Sequence, residues 1–321
     1  MKRFNNLYDK IISIENLELA DSKARKGKKN RCDVISFDKD RNLNILRLHE
    51  SLINKTFKTS KYKTFIINEG KERLIFSLPY YPDRIIHHAI MNILEPIFVN
   101  IFTSNTYSCI KGRGIHGAAN AVKKSLKDIE NTEYCLKLDI SKFYPSISHD
   151  ILKSIIRRKI KDSDLLWLLD EIIDSTDGLP IGNYTSQYFA NLYLTYFDHW
   201  LKEEKLVKYY FRYADDMVIF SSSKSELHKL LGDIKWYIES KLLLKIKSNY
   251  QIFPVKDRGV DFVGYKFYHT HILLRKGIKI NFIRMMKNNP NKKSFASYNG
   301  WIKHCNGKHL LKKHINETRF L

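Results

Sequence analysis

Short blocks of apolar residues, set in a polar background, repeat along this chain with two different periods, and together they predict an α+β fold. Helical spacing marks Leu43–Ile53, Arg84–Phe102 with a break or kink expected around Pro96, Asp150–Lys161, Ser163–Asp174, a long segment from about Thr185 to Glu203, and Lys224–Leu243. Ser148 or Asp150 is the expected cap of the helix after Ile147. Extended apolar runs mark strands. Lys61–Leu78 reads as two strands about a turn at Asn68–Gly70, closed by Pro79. Tyr134–Ile140, Tyr250–Val255, Val260–Tyr268 and Ile272–Ile280 read as further strands. Gly112–Gly117, GRGIHG, is expected as a loop before a helix from Ala118 to Lys127, and Gly178–Gly182, GLPIG, as a turn-rich loop. Residues 1–41 are polar and expected to be irregular. Their basic cluster, KARKGKKNR at Lys23–Arg31, fits either a mobile arm over nucleic acid or a solvated loop. From Phe282 onward the chain is basic and expected to be helical.

One stretch departs from simple patterning. Lys208–Phe220 reads KYYFRYADDMVIF: an apolar run, two adjacent carboxylates, and a second apolar run. This predicts two strands joined by a tight turn that carries Asp215 and Asp216. Adjacent carboxylates at the tip of an apolar hairpin repel one another, and an oxygen-liking cation such as Mg²⁺ relieves that repulsion. Asp139, near the end of the Tyr134–Ile140 strand, is a third candidate. Carboxylates on separate strands can converge at one sheet edge, which is what two-metal phosphoryl transfer requires. The backbone carbonyl of Ile140 could add an oxygen, and Lys71 and Arg73 could meet the β- and γ-phosphates of a nucleotide.

Composition narrows the partner. The 321 residues carry 56 Lys and Arg against 34 Asp and Glu, a formal net charge of +22, which suits a polyanion such as nucleic acid. With 19 Tyr and 18 Phe, phosphate contact and base stacking are both available. Four cysteines without CxxC spacing argue against a zinc ribbon or a disulfide framework and for a reduced, cytosolic protein. No apolar run is long enough to span a bilayer, and no signal-peptide core is visible.

The ordered set of motifs resembles the reverse transcriptases. LKLDISKFYPSI at Leu136–Ile147 is similar to their motif A, GLPIGNYTSQYFANLYL at Gly178–Leu194 to motif B, YADD at Tyr213–Asp216 to the catalytic box, and FVGY at Phe262–Tyr265 to the primer grip. Arg73 with DRIIHHAI, and GRGIH at Gly112–His116, resemble the finger motifs of bacterial members. The resemblance implies a right-hand polymerase: a basic extension and first helix at 1–60, fingers at 61–133, a palm of antiparallel sheet plus helices at 134–268 (148–176 being finger-side helices), and a helical thumb at 269–321. It implies Asp139, Asp215 and Asp216 as catalytic metal ligands for two Mg²⁺ ions, with Mn²⁺ as a substitute, and dNTPs as substrates. Tyr144 matches the steric gate against ribose, with Phe143 as the alternative. Ile181, Gly182 and Gln187 would lie at the nucleotide, Lys247 is the nearest match to the motif D lysine, Phe262, Gly264 and Tyr265 would hold the primer, and Arg113 and Tyr213 the template RNA.

Motif B carries a finer resemblance. Ile181 stands where many members have Gln, and IGNYTSQ resembles the reverse transcriptases of diversity-generating retroelements, as does SYNGWIKHCNGKHLLKK at Ser297–Lys313. That subfamily copies a template RNA with low fidelity at adenines, holds an RNA/cDNA duplex, and works with a small helical accessory protein in a bacterial cell, from a chromosomal or phage-borne element. A retron or phage-defence enzyme of ordinary fidelity is the alternative.

Overall fold

The computed structural model describes residues 3–68, 70, 72–288 and 290–315. They fall into two compact units, each discontinuous in sequence.

The first unit comprises residues 1–103, 142–196 and 240–244. Its centre is the helix Ile85–Ile101, where Ile85, Ile86, Ala89, Ile90, Leu94 and Phe98 are all fully buried. Residues 1–41 correct the expectation of an irregular stretch, although 25–31, most of the basic cluster, is a largely exposed loop, one of its two expected forms. They form helices at Tyr8–Ile12, Ile14–Ala24 and Cys32–Asp38. Ile11, Leu17, Ala20 and Val34 are fully buried at helical spacing, and Ile14–Ala24 packs on Ile85–Ile101. One buried carboxylate joins several segments: Asp21 is 1% exposed and is met by Arg25 at 2.7 Å, Arg41 at 2.8 Å and the Tyr80 hydroxyl. The strands β1 (Lys63–Asn68) and β2 (Glu72–Ser77) form the expected hairpin. Ser148 and Asp162 cap the helices His149–Arg157 and Ser163–Ile173. The predicted helix from Thr185 to Glu203 is instead three pieces, Tyr184–Tyr193, Thr195–His199 and a wider π turn at Trp200–Glu204.

The second unit comprises residues 104–141, 197–239 and 245–321. Its strands β3 (Tyr134–Asp139), β4 (Tyr209–Tyr213), β5 (Asp216–Ser221) and β6 (Gln251–Pro254) form an antiparallel sheet in the order β4-β5-β3-β6. Leu136, Leu138, Met217, Val218 and Ile219 at its centre are at most 1% exposed. The helix after the GRGIHG loop starts earlier than expected, at Gly114, and ends at Ser125.

Two expected strands are also corrected. Val260–Tyr268 is a hairpin, β7 (Val260–Phe262) and β8 (Tyr265–Phe267), and Ile272–Ile280 is a short β9 (Ile272–Leu274) followed by the helix Lys276–Asn288. Val263 and Gly264 turn the hairpin with φ of 42° and 86°, a left-handed pair that reverses the chain within two residues. Helices Lys292–Ile302 and Lys308–Ile315 complete the expected helical C-terminal region. Among the described residues no helix is long and apolar enough to cross a membrane.

Candidate active site

Antiparallel pairing of β3 with β5 sets Asp139 directly opposite Asp216. Pairing of β4 with β5 sets Tyr213 opposite Asp216, so Ala214 and Asp215 form the two-residue turn. The triad predicted from sequence is therefore assembled by register within one unit. Asp139 acts on both of the other carboxyls. Burial first, and then the Asp139 charge and hydrogen bond, push the Asp215 carboxyl up to about 7. Asp216 is pushed up to about 6, again mainly by burial, with Asp139 adding and Lys137 opposing.

Two lysines answer this charge. Lys247 donates from Nζ to Asp139 Oδ1 at 2.7 Å, and its backbone N–H donates to the Asp139 carbonyl at 2.8 Å. The nearest match to the motif D lysine thus lies beside Asp139. Lys137 lies two residues before Asp139, on the same strand face, with Nζ 3.7 Å from Asp216 Oδ1. Lys137 is a site residue that pattern alone does not single out, although its two-residue spacing from Asp139 is a signal for it. Asp216 Oδ1 is buried and accepts no hydrogen bond. A buried, unsatisfied oxygen on one of two adjacent carboxyls that are both held above their usual range suits a divalent cation. Among the described residues no three His, Cys, Asp or Glu side chains already close on one point, and Lys247 occupies one Asp139 oxygen. Ile140 is buried, and the two backbone bonds flanking its bridge to Ile246 use the Asp139 and Lys245 carbonyls, not its own.

The remaining expected residues divide between the units. In the second, Phe262 and Tyr265 are fully buried, and Tyr265 donates to the Trp301 carbonyl at 3.0 Å. An added Cβ at Gly264 would overlap the Trp301 ring. These contacts tie the hairpin to the helix Lys292–Ile302. Arg113 donates to the Thr106 carbonyl at 3.0 Å and braces its own loop, and Tyr213 is half-buried against the apolar cluster.

In the first unit, Tyr144 is half-buried whereas Phe143 is 2% exposed. The Ile181 carbonyl accepts from the Phe76 N–H at 2.8 Å. This brings the motif B loop onto β2. Gly182, with φ of 129°, sits so close that a Cβ would overlap the Phe76 carbonyl oxygen. Gly182 and Gln187 line a pocket of about 140 Å³ with Lys28, Arg84, His87 and His88. Arg73 is exposed on β2 opposite Ile67, and Lys71 lies outside the described residues.

With that geometry in place, comparison with known proteins decides the family. The family described as "Reverse transcriptase (RNA-dependent DNA polymerase)" matches residues 54–267. The chain belongs to the reverse transcriptase family. By family it is an RNA-directed DNA polymerase, and reverse transcriptases generally work with divalent metal ions. It is similar to protein YkfC of Escherichia coli strain K12, 24% identical over 272 residues, covering 71% of this chain and 70% of that one. It is also similar to the retron Ec73 reverse transcriptase of Escherichia coli, 27% identical over 222 residues, covering 62% of this chain and 67% of that one. Its fold is similar to that of telomerase from Candida tropicalis, solved in complex with a fragment of telomeric RNA, with a TM-score of 0.51 at 12% identity. That match covers 76% of this reverse transcriptase, which spans about half, 52%, of the telomerase chain. The right-hand α+β polymerase fold stands.

Proposed function

We propose that this reverse transcriptase copies a retroelement template RNA into cDNA with low fidelity at adenines, and so diversifies a target gene. The observation that carries the polymerase chemistry is the register pairing of Asp139 with Asp216 beside the Asp215 turn. Two Mg²⁺ ions held by Asp139, Asp215 and Asp216 would supply the charge that activates a primer 3′-hydroxyl and neutralises the triphosphate. The chain's own residues do the rest. β3 and β5 fix the carboxylates on a rigid sheet, and Lys247 and Lys137 hold Asp139 and Asp216 in place. Tyr144 excludes a ribose 2′-hydroxyl, and Arg73 with Lys71 meets the nucleotide phosphates. The basic surface holds template RNA and the RNA/cDNA duplex, with Arg113 and Tyr213 on the template side. Fingers, palm and thumb follow the boundaries at residues 61, 134 and 269, in a cytoplasmic enzyme that works with a small helical accessory protein.

Support for the low-fidelity subfamily is the IGNYTSQ segment. A glutamine at position 181 could hydrogen-bond near the nascent pair, whereas Ile181 can only pack, so geometry is policed less tightly. The second reading, a retron-type enzyme of ordinary fidelity, is favoured by the similarity to the Ec73 enzyme. Extension of a primed RNA of defined sequence with dNTPs and Mg²⁺, followed by sequencing of the cDNA, separates them. Errors concentrated at template adenines support the first. A uniform low error rate favours the second. RNA binding without extension would refute both.

A further inference from the structure

The strand that leads into the catalytic turn carries a charge in its core. Arg212 on β4 is 0% exposed, as is its partner Asp198. The guanidinium donates from Nε to Asp198 Oδ1 at 2.8 Å, and from Nη2 to Asp198 Oδ2. Asp198 is held in turn by the Tyr210 hydroxyl at 2.7 Å and the Thr106 hydroxyl at 2.9 Å. The segment Asn105–Tyr107 clamps the Arg212 backbone from outside: Arg212 N–H donates to the Asn105 carbonyl, and Tyr107 N–H to the Arg212 carbonyl, both at 3.0 Å. One arm of the guanidinium remains for the turn. Nη1 donates to the Ala214 carbonyl at 3.1 Å.

That last bond reaches the chemistry. Ala214 has φ of 55°, a left-handed conformation that a residue with a Cβ adopts only at a cost. Its carbonyl and the Asp215 N–H belong to one rigid peptide plane, which also contains the Asp215 Cα. Fixing the carbonyl therefore fixes where the Asp215 side chain starts, and Asp216 follows one residue later. We propose that Arg212, held by Asp198, Thr106 and Tyr210, is a positioning residue for the catalytic turn. The planar fork is needed because two of its nitrogens serve Asp198 while a third serves Ala214, and an ammonium at that place could not keep the same directions. The inference rests on the polymerase function proposed for the Asp139–Asp215–Asp216 site.

The test uses the full chain on a primed RNA template with dNTPs and Mg²⁺. Arg212→Lys retains the charge facing Asp198. The double variant Arg212→Met with Asp198→Asn removes both charges, so neither is left buried alone. Both are expected to keep the melting temperature and RNA affinity near wild type and the KM for dNTP within about twofold. The kcat is expected to fall by roughly 10- to 100-fold, the scale for a small misplacement of a catalytic group. Wild-type kcat in a folded variant would overturn the proposal. Loss of folding in both variants would do so as well, because the pair would then serve the fold and not the turn. Asp215→Asn run alongside keeps the two readings apart: extension that survives Asp215→Asn refutes the triad itself, whatever Arg212 does.

Discussion

Replacing Asp215 by Asn should abolish synthesis and, without divalent metal, make the protein more stable. Burial and the Asp139 charge raise the Asp215 carboxyl from 3.8 to about 7. Between those values the folded protein holds a proton that the unfolded chain has released. Wild-type stability therefore falls as pH rises through that window: the cost is absent below about pH 4 and complete above about pH 7. A rise of this size corresponds to at most ~4 kcal/mol at pH 8. Asp139 shares the hydrogen bond and the side chain is only partly shielded from water, so about 1–2 kcal/mol is the expected gain for the neutral amide. For a chain of 321 residues that is a rise in melting temperature of roughly 2–3 °C. The assay is a thermal melt of wild type and variant in EDTA from pH 4 to pH 8, with primer extension in Mg²⁺ alongside. The gain should shrink toward zero at pH 4, and added Mg²⁺ should stabilise the wild type more than the variant. A variant that melts lower than wild type at pH 8, or by the same margin at every pH, would show that the Asp215 carboxyl is not raised at this site.

Other changes have equally definite outcomes. Tyr144→Ala should admit rNTPs, read as labelled ribonucleotide incorporation; unaltered sugar selectivity would place the gate elsewhere. Ile181→Gln should lower misincorporation opposite adenine in a sequenced primer-extension product, and an unchanged error spectrum would remove Ile181 from the fidelity account. Gly182→Ala should cost about 1–3 kcal/mol of stability and most of the activity, since the new Cβ meets the Phe76 carbonyl at a φ of 129°; a variant as stable as wild type would show that the loop and β2 can separate freely. RNA affinity should fall steeply between 50 and 200 mM salt, in line with the net charge of +22, and a flat response would contradict phosphate contact as its main source.

Local pattern alone was enough to place most of the elements and the three carboxylates. The extended apolar runs located β1 to β6, the tight spacing between Tyr213 and Asp216 required a turn there, and the order of the motifs pointed to the family. These features survive because each depends on neighbours along the chain: strand alternation, caps and turn residues act over a few positions. Where partners come from far away, the pattern misled or was silent. Residues 1–41 read as an arm because their charges are conspicuous, yet Ile11, Leu17 and Ala20 are helical once Ile85–Ile101 gives them a face to pack on. Val260–Tyr268 read as one strand because its apolar run is nearly continuous, yet it folds back at the left-handed pair Val263–Gly264, with Gly264 under Trp301. The charges around the triad were least legible of all. Lys247 lies 108 residues from Asp139, and in the Arg212–Asp198 pair a full charge is buried where composition predicts apolar packing. A buried charge is tolerable only opposite its partner, and which partner it meets is a property of the folded chain, not of the residues beside it.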